Sequence, residues 1–131
     1  MGVFANDDLS DLPASVILAG RVEDSQLTAL YGNAHALLFP SLYEGFGIPP
    51  LEAMRLCTPV VASDIAVVKE VCGDAGYYFD AQKPCSIAAA IRRIFDDNPL
   101  HSRLRSAARE RAVHYSWQVS ANALSQIAND L

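Results

Sequence analysis

Residues 36–63 read ALLFPSLYEGFGIPPLEAMRLCTPVVAS. The run opens with Ala36-Leu37-Leu38-Phe39, apolar throughout and stopped by Pro40, and closes with a second apolar run, Pro59-Val60-Val61-Ala62-Ser63. Neither run alternates polar with apolar residues, so each reads as a strand covered on both faces. Between them a glycine- and proline-rich turn, Glu44-Gly45-Phe46-Gly47-Ile48-Pro49-Pro50, opens a short helix running to about Leu56. Strand, helix and strand in this order make a βαβ crossover, the unit of a parallel sheet.

The same alternation continues outward. Val16-Ile17-Leu18-Ala19-Gly20 is strand-like, and residues 24 to 33 follow with Leu27, Leu30, Tyr31 and Ala34 on one helical face. Gly76-Tyr77-Tyr78-Phe79 reads as a fourth strand. From Pro84 onward the pattern is helical, with Ile87, Ile91, Ile94 and Phe95 on one face and a break at Asn98-Pro99. A second helix is expected from about Leu100 to about Tyr115. The last begins at Ser116 as N-cap, with Trp117, Ala121, Leu124, Ala128 and Leu131 on one side. The predicted fold is α/β: a Rossmann-like parallel sheet of about four strands, flanking helices and a helical C-terminal tail, residues 1–131 forming one domain.

Composition narrows the function. The chain has 131 residues, 51% of them hydrophobic and 19% charged, enough for an unstapled core hiding roughly 68% of the unfolded surface. Ten Lys and Arg stand against fifteen Asp and Glu, a net charge of −5 that argues against a nucleic-acid partner. The longest apolar stretch falls far below a membrane span. Cys57, Cys72 and Cys85 are odd in number and lack C-x-x-C spacing, and read as reduced, buried thiols of a cytoplasmic protein.

Ser41–Glu52 is where turn glycines, acids and a helix start converge. Gly45 and Gly47 let the backbone approach a ligand, and a helix start offers unpaired N–H groups to a phosphate. Two known phosphate turns are excluded: the dinucleotide fingerprint needs glycine where Pro50 stands, and the Gly-Lys-Ser/Thr of a P-loop is absent. Pro49 and Pro50 remove two donors, leaving Gly47, Ile48, Leu51 and Glu52 to supply them. Glu44 stands at the lip of the strand end and Glu52 in the expected first helical turn. Carboxylates for sugar hydroxyls beside a seat for diphosphate suit a nucleotide-sugar.

The stretch Ser41–Met54, with Thr58-Pro59-Val60-Val61-Ala62-Ser63-Asp64, Glu70-Val71, Gly73-Asp74-Ala75-Gly76 and Tyr115-Ser116-Trp117, resembles the signature of the family 4 (group 1) retaining glycosyltransferases. The resemblance implies part of the C-terminal, donor-binding half of the GT-B architecture, and transfer of a mannose- or glucose-like hexose with retention in polysaccharide or glycoconjugate synthesis. It makes Glu44 the catalytic carboxylate facing the donor sugar. Phe46, Gly47 and Ile48 would act through backbone N–H groups on sugar hydroxyls and diphosphate, and Glu52 would hold the ribose hydroxyls. Val22 and Asp24 would meet the base of a UDP-, GDP- or ADP-sugar. No metal and no cofactor are implied. The implied location is cytoplasmic, peripheral at the inner face of the membrane in the full enzyme.

Against that family pattern, residues 1–13 stand as a short polar lead-in where two strands and the diphosphate-gripping Arg and Lys would precede Val16. In the order 3-2-1-4-5-6 those strands separate the Val16 segment from the Ala36 strand. The chain alone is therefore expected to be inactive, with an N-terminal acceptor domain or companion chain supplying the rest, or with homo-oligomerisation covering open edges. The alternative function is a non-catalytic nucleotide- or partner-binding module, or an inert remnant. Plainer readings stand beside the functional ones: Asp24 as a helix N-cap, His35, His101 and His114 as structural, and Arg92, Arg93, Arg103, Arg105, Arg109 and Arg111 as solvated helix faces. Cys57 occupies a helix-ending position where the family has glycine, a cost of about 1 kcal/mol if the backbone there is left-handed.

Overall fold

The computed structural model describes residues 12–129 and leaves out the Trp117 side chain. The reading of Leu131, of most of the polar lead-in and of Trp117 packing lies outside the described residues. Helix α1 (Asp24–Asn33) leads into β1 (Leu37–Phe39), α2 (Ile48–Arg55), β2 (Val60–Ser63), α3 (Ala66–Cys72) and, after a 3-10 turn, β3 (Gly76–Phe79). Helices α4 (Pro84–Asp96), α5 (Asn98–Ala112) and α6 (Trp117–Asn129) complete the chain. The strands form one parallel sheet in the order β1-β2-β3, with Leu37 opposite Val60 and Val60 opposite Gly76.

Among the described residues the sheet has three strands, not about four. Val16–Gly20 pairs with no strand, and Ile17 is 86% exposed. An apolar run becomes a strand only when a neighbour takes its N–H and C=O groups, and among the described residues none lies beside this one. The expected crossover after β2 is made by α3, to which the sequence pattern assigned no boundaries; its Val68, Val71 and Cys72 are buried.

Every residue of β2 is buried, as a central parallel strand requires. Its side chains alternate between two cores. Val60 and Ala62 join Met54 of α2, Val68 of α3 and Ala108 of α5. On the opposite side Val61 meets Phe79, Ile94 of α4 and Leu104 of α5. Helix α5 thus contributes to both cores and ties α2 to the sheet. Its start is capped by Asp97, whose carboxylate accepts from the Leu100 N–H at 2.8 Å. Ser116 caps α6 as expected, its hydroxyl accepting from the Val119 N–H at 3.1 Å.

Helix α2 ends in a Schellman motif: the Thr58 N–H reaches the Ala53 carbonyl and the Cys57 N–H the Met54 carbonyl, both at 2.9 Å. This forces Cys57 to φ +60°, the one described non-glycine residue at positive φ. Replacing Cys57 by glycine is therefore expected to stabilise the fold by about 1 kcal/mol, relieved left-handed strain outweighing the added freedom of the unfolded chain. A thermal melt raised by a few degrees is the check, and an unchanged or lowered midpoint would refute it.

Only Cys72 among the thiols is buried; Cys57 is half-buried and Cys85 exposed, correcting the expectation of three buried ones. Cys85 lies in the first turn of α4, where nothing covers it. Burial pushes the Cys72 thiol up to about 11 against a weaker opposing pull from Arg111. It stays protonated at pH 8, so iodoacetamide is expected to modify Cys85 in the native protein and Cys72 only after denaturation, as peptide mass mapping would read. Because the folded value is raised, this thiol's contribution to stability is intact below about pH 9 and declines as pH rises towards 11.

His35 is structural: its ring stacks between Phe95 and His101, at centroid separations of 4.5 and 4.0 Å. The cluster lies beside the start of β1, at the opposite end of the sheet from the loop that enters α2.

Candidate functional site

Parallel strands deliver their carboxyl ends to one edge of the sheet, and the loops leaving that edge are where such folds hold ligands. Here the edge is Phe39, Ser63 and Phe79. The Ser63 hydroxyl donates to the Phe39 carbonyl at 3.3 Å, and the Asp64 N–H to the Phe79 carbonyl at 2.8 Å, so the strand ends stay in register beyond their ladders. The loop from Pro40 to Gly47 starts from this edge, its first turn fixed by the Ser41 hydroxyl donating to the Tyr43 carbonyl at 3.0 Å.

Gly47 sets the start of α2. At φ +93° and ψ +51° it is left-handed and buried, a conformation open to glycine and strained for other residues. The chain then turns directly into Ile48-Pro49-Pro50, prolines filling first-turn positions whose N–H groups would find no acceptor within the helix. The Leu51 N–H turns back on the Gly47 carbonyl at 3.4 Å. That removes Leu51 from the expected donors, Glu52 as fifth helical residue gives its N–H to the helix, and the Gly47 and Ile48 N–H groups are left without an acceptor among the described residues. Phe46 and Ile48 project outward, and Glu44 is half-buried.

Glu52 is the fifth residue of α2, one place beyond the expected first turn, because the helix begins only at Ile48. It faces α1. A cavity of about 330 Å³ between the helices is lined by Asp24, Leu27, Thr28 and Tyr31 of α1 and by Glu52 and Arg55 of α2, with Leu56 behind them. Asp24 is not the N-cap of α1. Glu23 takes that place, with its N–H donating to the Gln26 side chain at 2.9 Å. Asp24 lines the cavity with Glu52. Val22 lines a separate hollow with Ala19, Gln26 and Leu30 and does not share the Glu52 cavity.

Two cavity residues escaped the sequence reading. Tyr31 looked like one more apolar-face position of α1, yet its phenol lies against Glu52; burial raises its pKa, and the Glu52 charge and hydrogen bond raise it further. Arg55 brings a cation to the same cavity and donates to the Tyr115 carbonyl at 2.7 Å. Tyr115 is the third omission. Its ring takes that of Phe46 edge-on, at 6.0 Å and 80°, and its hydroxyl donates to the Glu70 carbonyl at 3.1 Å. Arg111 is not a solvated cation: its guanidinium caps the end of α3, donating to the Val71 and Glu70 carbonyls at 3.0 and 2.6 Å. Arg103 likewise donates to the Asp74 carbonyl at 3.3 Å.

Among the described residues no group of three or more His, Cys, Asp or Glu is placed to hold a metal ion, and no helix is long and apolar enough to cross a membrane. The site instead offers a carboxylate lip, free backbone donors that include those of Gly47 and Ile48, and a cavity lined by two acidic residues, in sequence along one loop and helix.

Comparison with known proteins identifies the family and the fold. The model of the family described as "Glycosyl transferases group 1" matches residues 8–111. The O-antigen chain mannosyltransferase B of Escherichia coli is 37% identical over 99 residues, covering 76% of this chain and 26% of the relative. The glycogen synthase of Mycobacterium tuberculosis (strain ATCC 25618 / H37Rv) is 35% identical over 111 residues, covering 82% of this chain and 27% of the relative. Among solved structures, the sucrose-phosphate synthase of Thermosynechococcus elongatus aligns with a TM-score of 0.76 at 29% identity, over 85% of this chain and 29% of that one. The chain thus spans about a quarter of the length of these curated relatives.

Proposed function

Because the chain belongs to the group 1 glycosyl transferases and carries the fold of their GT-B C-terminal domain, we propose that its Glu44–Glu52 segment holds the nucleotide-sugar donor of a retaining hexosyltransferase. The observation that carries this reading is the pairing of two unengaged N–H groups, on Gly47 and Ile48, with a carboxylate on either side. Glu44 faces the hexose. The Phe46, Gly47 and Ile48 N–H groups take sugar hydroxyls and the diphosphate, where fixed dipoles stabilise the charge that develops as the leaving group departs. Glu52 accepts from the ribose hydroxyls, and Asp24, across the same cavity, stands nearer the base. Val22, lining its own hollow, meets the base by its backbone.

Mannosyl and glucosyl relatives on the same scaffold support a mannose- or glucose-like donor. The O-antigen relatives support a role in polysaccharide or glycoconjugate synthesis, with the work done on the cytoplasmic side, at the membrane surface. Acceptor recognition falls to an N-terminal domain or companion chain, since the relatives extend far beyond the matched region. The outer edge of β1, unpaired among the described residues, supports association with that partner or with a second copy.

Titrating the 131-residue protein with UDP-glucose, GDP-mannose and ADP-glucose by calorimetry or NMR tests the reading. Saturable binding of one, without sugar transfer by the chain alone, is the expected result. Binding of none would reject the donor site. The second reading is a nucleotide-binding module without catalysis. It would be supported if the bare nucleotide bound as tightly as its sugar conjugate.

A further inference from the structure

We infer that Tyr115 is a positioning residue for the Glu44–Gly47 turn, an inference that rests on the donor-site reading above. The turn has little to hold it from within. Glu44 and Gly45 make no hydrogen bond among the described residues, a Cβ on Gly45 would meet nothing within 4 Å, and Phe46 is 46% exposed. Its one aromatic contact among the described side chains is the edge-on approach of Phe46 to Tyr115 at 6.0 Å.

Tyr115 itself is anchored three ways. Its hydroxyl donates to the Glu70 carbonyl at the end of α3 and accepts from the Arg111 guanidinium, both at 3.1 Å. That guanidinium stands 5.5 Å from the ring centroid. Its carbonyl accepts from Arg55 of α2, the helix that carries Glu52. One residue therefore connects the turn, the helix it opens and the end of α3. It lies immediately before Ser116, the cap of α6, so the placement of the C-terminal helix and the order of the turn share a joint. The ring is what the turn leans on, and the Arg55 bond to the Tyr115 carbonyl holds the ring in place even without the hydroxyl.

The test uses the 131-residue protein with Tyr115→Phe, Tyr115→Leu and Phe46→Leu. The first keeps the ring, the second removes it with its hydroxyl, and the third breaks the pair while leaving the Tyr115 anchors intact, so that it folds even if Tyr115→Leu does not. Backbone 15N relaxation of Gly45, Phe46 and Gly47 is the first readout and needs no ligand. Order parameters of about 0.85 are expected in the wild type and Tyr115→Phe, and below ~0.6 in both leucine variants, with Val61 and Ala62 of β2 unchanged. A turn that stays rigid in the leucine variants, or one that loosens equally in Tyr115→Phe, overturns the inference.

The second readout is the affinity for whichever of UDP-glucose, GDP-mannose or ADP-glucose the wild type binds. A weakening of about tenfold is expected in Tyr115→Leu and less than twofold in Tyr115→Phe. A loosened turn with undiminished affinity would overturn the functional part of the inference. Absence of binding in the wild type would reject the donor site, and the relaxation data would still decide whether Tyr115 orders the turn.

Discussion

Replacing Glu52 by alanine is expected to weaken nucleotide-sugar binding by one to two orders of magnitude while leaving the fold within about 1 kcal/mol of wild type. Hydrogen bonds to an ionised group are worth about 1.5–3 kcal/mol, and each 1.4 kcal/mol is about tenfold in affinity. Glu52 is half-buried on the wall of the cavity it shares with Asp24, so a bound hydroxyl would lose its acceptor there without water at full access. The stability cost is confined to Tyr31, whose phenol loses the facing carboxylate. Glu52→Gln should fall between alanine and wild type, since an amide still accepts one bond. Calorimetric titration beside a thermal melt separates the two effects. Unchanged affinity in Glu52→Ala would remove this residue from the donor site.

Leu104→Ala is expected to cost about 3 kcal/mol, a large share of a stability of roughly 5–15 kcal/mol. Leu104 is fully buried against Val61, Phe79 and Ile94, so truncation leaves a cavity that β2 cannot fill by moving without disturbing its ladders. Because α5 also places Ala108 and Ala112 in the opposite core, the loss should be felt on both faces of the sheet. Denaturant unfolding would show it as a lowered midpoint. Ile17→Ala, 86% exposed on an unpaired segment, should by contrast change stability by less than about 0.5 kcal/mol. A cost for Ile17→Ala comparable to that for Leu104→Ala would mean that the Val16–Gly20 run is buried in a sheet after all.

That contrast shows where the sequence suffices. Leu37–Phe39, Val60–Ser63 and Gly76–Phe79 are strands both in the apolar pattern and in the structure, because each has a parallel neighbour. Val16–Gly20 carries the same local signal and forms no strand. Hydrophobicity and β-propensity are properties of a segment, whereas pairing is a property of two. The turn at Glu44–Pro50 was legible for a different reason: Gly47 and the two prolines impose their conformations locally, so strand end, turn and helix start are written in adjacent residues. The positive φ of Cys57 was a condition raised by the glycine that the resembled family has there, and the structure meets it.

The sequence by itself determined the class of fold, the carboxylate-flanked turn and the order of the helices, all of which follow from interactions spanning a few residues. Tertiary structure decided that Asp24 and Glu52 line one cavity while Val22 lines another, since that depends on how α1 lies against α2. It also turned Arg111 from a surface charge into the cap of α3 and set Tyr115 against Phe46. Those partners lie 40 and 69 positions apart. No periodicity or spacing rule reaches across such distances; only the packing of α5 and the start of α6 against the sheet brings them within contact.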